Sequence, residues 1–279
     1  MIFFQLVIFI FGLLIGSFLN VVIFRLEKGE HFGGRSHCPN CKHTLSWLDL
    51  APVFSYIFLL GKCRSCKGKI SIQYPIVEIS TALIFLLIYN LKFEIYNQFE
   101  IFQFSNVIGL LFLFYIASVL IVIFAYDLKH YIIPDKILFP AIVIAFLYRL
   151  FENFNILVLN SNFKFQISNF FHVGNYMLAP IIASGFFLAI FLISKGRWMG
   201  FGDVKLAVLL GLLLGLPNIL VGLFLAFLLG AIIGVISIIF AGKGLKSQMP
   251  FAPFLISGTF IALFLGEKII EWHSNLFIL

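Results

Sequence analysis

Two carboxylates and four thiols are the residues of this 279-residue chain best placed to do chemistry. Asp127 follows the apolar run ending Ile123-Phe124-Ala125-Tyr126, and Asp203 closes Gly200-Phe201-Gly202-Asp203 just ahead of another apolar run. Carboxylates beside hydrocarbon are costly to keep, so they start as functional-site candidates. If folding brings two of them together, both cannot ionise freely and they share a proton. One then activates water as a base while its partner protonates a scissile carbonyl, which is the chemistry of an aspartic peptidase. Glycines at 200 and 202 suit a backbone that a substrate strand must approach closely. Taken alone, the same residues also read more plainly, with Asp203 capping the helix that follows and Asp127 marking the end of a span. They fit an ion or proton site in a transporter or assembly factor as well, where broken helices hold intramembrane carboxylates.

All four cysteines lie between residues 25 and 75, as Cys38-Pro-Asn-Cys41 and Cys63-Arg-Ser-Cys66 with 21 residues between the pairs. Two Cys-x-x-Cys knuckles at this spacing suit a four-cysteine zinc ribbon. A loop this small buries too little surface to fold alone, and a tetrahedral thiolate site supplies the missing stability. Lys42, Lys62, Arg64 and Lys67 flank the knuckles and offset the charge of four thiolates on a divalent ion. Four thiolates leave no position for water, so Cys38, Cys41, Cys63 and Cys66 read as ligands of a structural Zn2+ rather than a catalytic one. His37 and His43 are read as solvated neighbours. Two disulfides or four free thiols are the alternatives, and a cytoplasmic setting argues against the disulfides.

The elements that must position these groups follow from composition. The chain is 62% apolar and 11% charged, with 37 phenylalanines, whereas a soluble domain is about 25% charged. It is expected to be an all-α polytopic membrane protein. Apolar runs fall near 2 to 24, 76 to 91, 106 to 126, 137 to 150, 176 to 194, 204 to 216, 218 to 241 and 251 to 270. That gives about eight transmembrane helices, of which those at 137 to 150 and 204 to 216 fall short of the roughly 20 residues a crossing needs. The opening run lacks a basic start and a small-residue cleavage site, so it is read as a retained first span.

Fifteen of the 19 lysines and arginines fall between 25 and 75 or in the loops near 127 to 136, 195 to 205 and 242 to 248. Basic residues collect on the cytoplasmic side, which places the N-terminus outside and those loops inside. The net charge of +7 is then matched by anionic membrane lipids and calls for no nucleic-acid partner. Three segments are expected: a first transmembrane helix at 1–24, a cytoplasmic four-cysteine zinc domain at 25–75, and a transmembrane domain with both aspartates at 76–279. The glycines at 211, 215, 222, 230 and 234 are expected to let helices pack closely.

The chain resembles the type 4 prepilin leader peptidases along nearly its whole length. The resemblance is carried by Gly16-Ser17-Phe18-Leu19-Asn20-Val21-Val22 with Arg25, by the two knuckles with Gly61-Lys62-Cys63, and by Ile70-Ser71 with Tyr74-Pro75-Ile76-Val77-Glu78. It continues through Asp127, Pro134 and Asp135, Gly200 to Lys205, and Pro250-Phe251-Ala252-Pro253-Phe254. The resemblance implies a polytopic enzyme of the bacterial cytoplasmic membrane. Such an enzyme cuts the basic leader from prepilins and pseudopilins at the cytoplasmic face, and many then methylate the new N-terminal residue using S-adenosylmethionine. It implies a catalytic pair at Asp127 and Asp203, with Gly200, Gly202, Lys205, Pro134 and Asp135 in supporting places, and zinc ligands at the four cysteines. It associates methylation with the cysteine domain and with Gly61, and Asn20 and Glu78 match its motifs as cofactor-binding candidates. From the residues alone, Gly61 also reads as a turn glycine and Glu78 as a helix-end carboxylate paired with Arg25 or another loop base. Glu27, Glu30 and Asp49 are read as solvated surface that a basic leader could meet. A peptidase of the same family without methylation is the neighbouring alternative.

Overall fold

Hydrocarbon offers no partners to backbone polar groups, so apolar runs of this length must satisfy them internally as helices. The computed structural model describes residues 2–95, 104–159, 167–241 and 248–276. Its long helices are α1 (Ile2–Lys28), α3 (Gln73–Ile95), α4 (Phe104–His130), α5 (Asp135–Leu159), α6 (Ile167–Ser194), α7 (Phe201–Leu214), α8 (Asn218–Ala241) and α9 (Ala252–Leu276). A 3₁₀ turn, Trp47–Leu50, and the short α2, Phe54–Phe58, lie in the polar segment between α1 and α3. The chain is a multi-pass helical membrane protein. Among the described residues six helices are long and apolar enough to cross: α1, α3, α4, α6, α8 and α9. The fourteen-residue α7 is too short, and α5 carries Asp135, Lys136, Arg149 and Glu152. Lys164, and Lys243 and Lys246 of the 242 to 248 loop, lie outside the described residues.

The chain divides into two compact units, Met1–Ala125 and Tyr126–Leu279. In the first, α1 and α3 run antiparallel with their backbones in contact. A Cβ added to Gly12 would sit 2.5 Å from the Cα of Ala82, and one on Gly16 would sit 2.6 Å from the Cα of Glu78. Small residues at a helix seam allow this approach. Gln5 donates to Asn90 at one end of the seam, and Asn20 donates to the Tyr74 carbonyl at the other. Beyond the seam, the buried Arg25 donates to the carbonyls of Phe32, Gly33, Gly34 and Arg35, turning the chain into the polar segment. Arg25 is therefore a loop clamp, and not the partner of Glu78 that the sequence suggests.

The second unit is organised on α7, which is buried along most of its length. A Cβ on Gly211 would come within 2.4 Å of the Pro180 Cα, so α6 and α7 touch through backbone. A Cβ on Gly258 would come within 2.4 Å of the Gly222 carbonyl, joining α8 and α9 in the same way. Gly234 has nothing within 4 Å, so it does not play the packing part expected of it. The last carbonyls of α7 have no partner within the helix. Buried Arg149 of α5 supplies one: its guanidinium donates to Leu212 O at 2.8 Å and Leu213 O at 2.7 Å, and lies 3.7 Å over the Tyr176 ring of α6.

Charge-assisted bonds of this kind are worth about 1.5–3 kcal/mol each. Arg149→Met keeps the aliphatic stem but removes the donors, and is expected to destabilise the protein by about 3 kcal/mol. The measurement is the melting temperature in detergent, and an unchanged value would mean that other donors close α7.

Candidate active site and metal centre

Asp127 lies in the last turn of α4, and Asp203 is the third residue of α7; they are only 4% and 8% exposed. Both belong to the second unit. The structure brings them together, close enough for the charge of Asp127 to act on Asp203. Each carboxylate also accepts a backbone N–H at the start of a helix. Ala252, the first residue of α9, donates to Asp127, and Gly200, the N-cap of α7, donates to Asp203. The first N–H groups of a helix lack internal partners and carry its positive end, so they are natural anchors for a carboxylate. Asp203 is thus the reciprocal half of a capping box as well as a member of the pair.

Gly202 marks a close approach, since a Cβ there would stand 3.2 Å from Ile133 Cδ1. Pro134 starts α5, its carbonyl accepting from Ile137 and Leu138. Asp135 is not part of the carboxylate pair. It is half exposed and pairs with Lys205, whose ammonium also lies 5.3 Å and 5.7 Å from the rings of Phe139 and Phe201. This ion pair ties the start of α5 to the start of α7.

The four cysteine sulfurs lie within 4.8 Å of one another in the first unit. Their two knuckles repeat the same backbone pattern. Cys38 N–H donates to His43 O and Lys42 N–H to Cys38 O, just as Cys63 N–H donates to Gly68 O and Lys67 N–H to Cys63 O. Lys42 and Lys67 both adopt φ of 57°. The backbone amides of Cys66 and Ser65 draw the Cys63 thiol down to about 7. Cys66 moves to about 11: the Gly68 amide favours its thiolate, but burial and the neighbouring thiols outweigh it. The sulfurs therefore hold protons among themselves that a cation would displace. Tetrahedral zinc with Zn–S bonds of 2.3 Å would hold sulfurs about 3.8 Å apart. Cys38 and Cys66 are 3.9 Å apart, which fits that geometry and is too long for a disulfide.

Gly61 sits in the turn between α2 and the second knuckle at φ of 67°; its N–H donates to Tyr56 O and its carbonyl accepts from Ile70. Asn20 and Glu78 lie elsewhere in the unit, in the α1–α3 seam. Glu78 accepts the Val53 N–H at 2.7 Å and a hydrogen bond from Ser17. Asp49 is engaged rather than solvated: the Ser46 hydroxyl and Arg64, 2.8 Å away, hold its carboxyl below the usual range. Sequence reasoning missed Ala252, whose motif was visible but whose backbone role was not. It also missed Arg149, whose only sequence signal is a charge inside an apolar run.

The described geometry can be set beside known proteins. The family described as Bacterial Peptidase A24 N-terminal domain matches residues 10–92, and the Type IV leader peptidase family matches residues 114–235. A protein of Bacillus subtilis (strain 168) named prepilin leader peptidase/N-methyltransferase is 30% identical, covering 97% of this chain and 98% of its own. One of Vibrio cholerae with the same name is 31% identical over 91% of this chain and 94% of its own. A third, from Aeromonas hydrophila, is 29% identical over 97% and 94%. No solved structure matches the chain.

A side chain at Gly61 would meet left-handed backbone strain of about 1–2 kcal/mol and the Tyr56 hydroxyl 3.1 Å from its Cβ. Gly61→Ala is expected to loosen the second knuckle, seen as faster proteolytic cutting between Lys62 and Lys69 than in the unsubstituted protein. Equal cutting rates would show that the turn tolerates a Cβ.

Proposed function

The chain belongs to the type IV leader peptidase family, and we propose that Asp127 and Asp203 are the catalytic dyad with which it works. It is an enzyme that removes the leader from prepilins and methylates an amino nitrogen. The observation that supports this dyad is that two buried carboxylates lie near enough for the charge of Asp127 to act on Asp203, each held by a backbone N–H at a helix start. Those amides fix orientation and leave the remaining lone pairs for water and substrate. One carboxylate takes a proton from water as its oxygen attacks the scissile carbonyl carbon; the other donates a proton to the carbonyl oxygen. Collapse of the tetrahedral intermediate breaks the C–N bond, and the departing amine recovers a proton from the pair. Gly200 keeps the backbone beside the dyad open to a substrate strand and Gly202 lets Ile133 pack against the start of α7, while the Asp135–Lys205 pair holds α5 and α7 in register.

The finer arrangement is also our reading. Eight helices cross the bacterial cytoplasmic membrane, with the shorter α7 shielded by its neighbours and Arg149 of α5 buried against it. The N-terminus lies outside, and the basic loops, the zinc domain and the dyad lie at the cytoplasmic face. The first helix at 1–24, the zinc domain at 25–75 and the peptidase domain at 76–279 divide the labour. Prepilins and pseudopilins are the substrates, and anionic lipids answer the basic loops. Cys38, Cys41, Cys63 and Cys66 hold a structural zinc that folds the polar segment. S-adenosylmethionine supplies the methyl group, with Gly61, Asn20 and Glu78 serving its site.

Two experiments check this. Mass spectrometry of a purified prepilin, incubated with the enzyme and S-adenosylmethionine, should show loss of the leader and gain of one methyl group. Asp127→Ala and Asp203→Ala should each slow cleavage by about a thousandfold or more. An intact substrate with the unsubstituted enzyme would favour ion binding by the aspartates instead. Metal analysis should find one zinc per chain, lost in Cys63→Ser together with resistance of the 29–72 segment to protease. A metal-free chain with that segment still resistant would make the cluster a set of plain thiols.

A further inference from the structure

Outside the dyad and the cysteines, the most incomplete polar site lies in the α1–α3 seam. Asn20 and Glu78 are 3% and 6% exposed. Asn20 spends its Nδ2 on the Tyr74 carbonyl, and its buried Oδ1 accepts no hydrogen bond. Tyr74 and Glu78 stand one turn apart on α3, as Ser17 and Asn20 do on α1. Ser17 bonds Glu78 while Asn20 bonds Tyr74, so the orphaned amide oxygen and the carboxylate are neighbours in one seam.

Both groups are acceptors, and Glu78 has no cation beside it among the described residues: its partners are the Val53 N–H and Ser17. Glu27 and Glu78 both act electrostatically on the Tyr74 hydroxyl, so carboxyl groups converge here in a chain of net charge +7. A buried carboxylate normally demands a paired charge. Val53, whose N–H reaches Glu78, holds φ of 63°, a conformation that β-branched residues rarely adopt and that tends to cluster at ligand sites. One carboxylate and one amide oxygen are too few for a metal, and the metal-type cluster among the described residues is the cysteine set. A group with several N–H donors and one positive charge completes both acceptors at once.

We propose that Asn20 and Glu78 seat a primary ammonium group. The inference rests on the methyltransferase reading above, which offers two sources of that chemistry: the new α-amine of the cleaved substrate, and the amino-acid end of the methyl donor. Asn20 lies on α1 and Glu78 on α3, so methylation draws on the helix seam as well as the cysteine segment.

Affinities measured on the full-length protein in detergent test the proposal. One pair of probes is a synthetic peptide bearing a mature pilin N-terminus, free or N-acetylated. The other is S-adenosylmethionine and 5′-methylthioadenosine, which lacks the amino-acid end. Glu78→Gln keeps the acceptor for Val53 but removes the charge. It should weaken binding of one amine-bearing probe by about tenfold or more, leave its amine-free counterpart unchanged, and so identify the source. Asn20→Leu removes the orphaned amide oxygen and should weaken the same probe, deciding the matter should Glu78→Gln melt below the assay temperature. If unsubstituted protein binds the probes and methylates, yet a folded Glu78→Gln binds all four equally, the ammonium site is wrong and Glu78 serves only to hold Val53. If unsubstituted protein binds neither free peptide nor donor and transfers no methyl group, the site falls together with the methyltransferase reading.

Discussion

The second unit depends on a helix too short for its surroundings. Fourteen residues of α7 extend about 21 Å, well under the roughly 30 Å of hydrocarbon a crossing helix must span. Both of its ends therefore need partners that the helix itself does not supply. At the C-terminus Arg149 donates to the Leu212 and Leu213 carbonyls, and at the N-terminus Asp203 folds back on the Gly200 N–H. Close packing fixes the helix laterally where Gly211 meets Pro180. A carboxylate on an element pinned at both ends and along one side has little freedom to drift from its partner, which is what the proposed dyad requires.

The first unit meets the same demand with other means. Between α1 and α3, glycines at 12 and 16 let backbones touch, so polar groups in the seam are buried and need partners within reach. Most have them, and Asn20 Oδ1 is the exception. The polar segment beyond buries little apolar surface of its own, since Trp47, Phe54, Ile57, Phe58 and Leu60 are exposed. It is held by Arg25 on four successive carbonyls, by Glu78 on Val53, and by Asp49 on Arg64, with the four clustered sulfurs at its centre. Each of these replaces a part of the hydrophobic core that fifty residues cannot build.

The helices were legible in the sequence because each long one covers an apolar run, though boundaries moved. Asp135 opens α5, which continues to Leu159, and α6 begins at Ile167 rather than near 176. Hydropathy marks where a helix is apolar, and helices continue past that limit as long as their backbone bonds can form. The two aspartates and four cysteines were visible because their types are rare in such a chain. The groups that hold them were not. Ala252 acts through a backbone N–H, which every residue but proline possesses, so no side chain announces it. Arg149 looked like one stray charge, and the carbonyls it serves lie 63 and 64 residues away.

That backbone role also accounts for the shape of the Pro250 to Phe254 motif. Phe251 O accepts from Phe254 and Leu255, which makes the Ala252 N–H one of the unpaired donors of the first turn of α9. Proline at 253 lacks a donor where none is needed and presets the helical dihedral. Ala252 is fully buried, so a small side chain lets the amide come up to Asp127. The rings of Phe251 and Phe227 lie 5.1 Å apart, fixing the start of α9 against α8. An exposed amide would be shared with water. Walled in by rings and neighbouring helices, this one has Asp127 as its acceptor, which holds the carboxylate in one orientation.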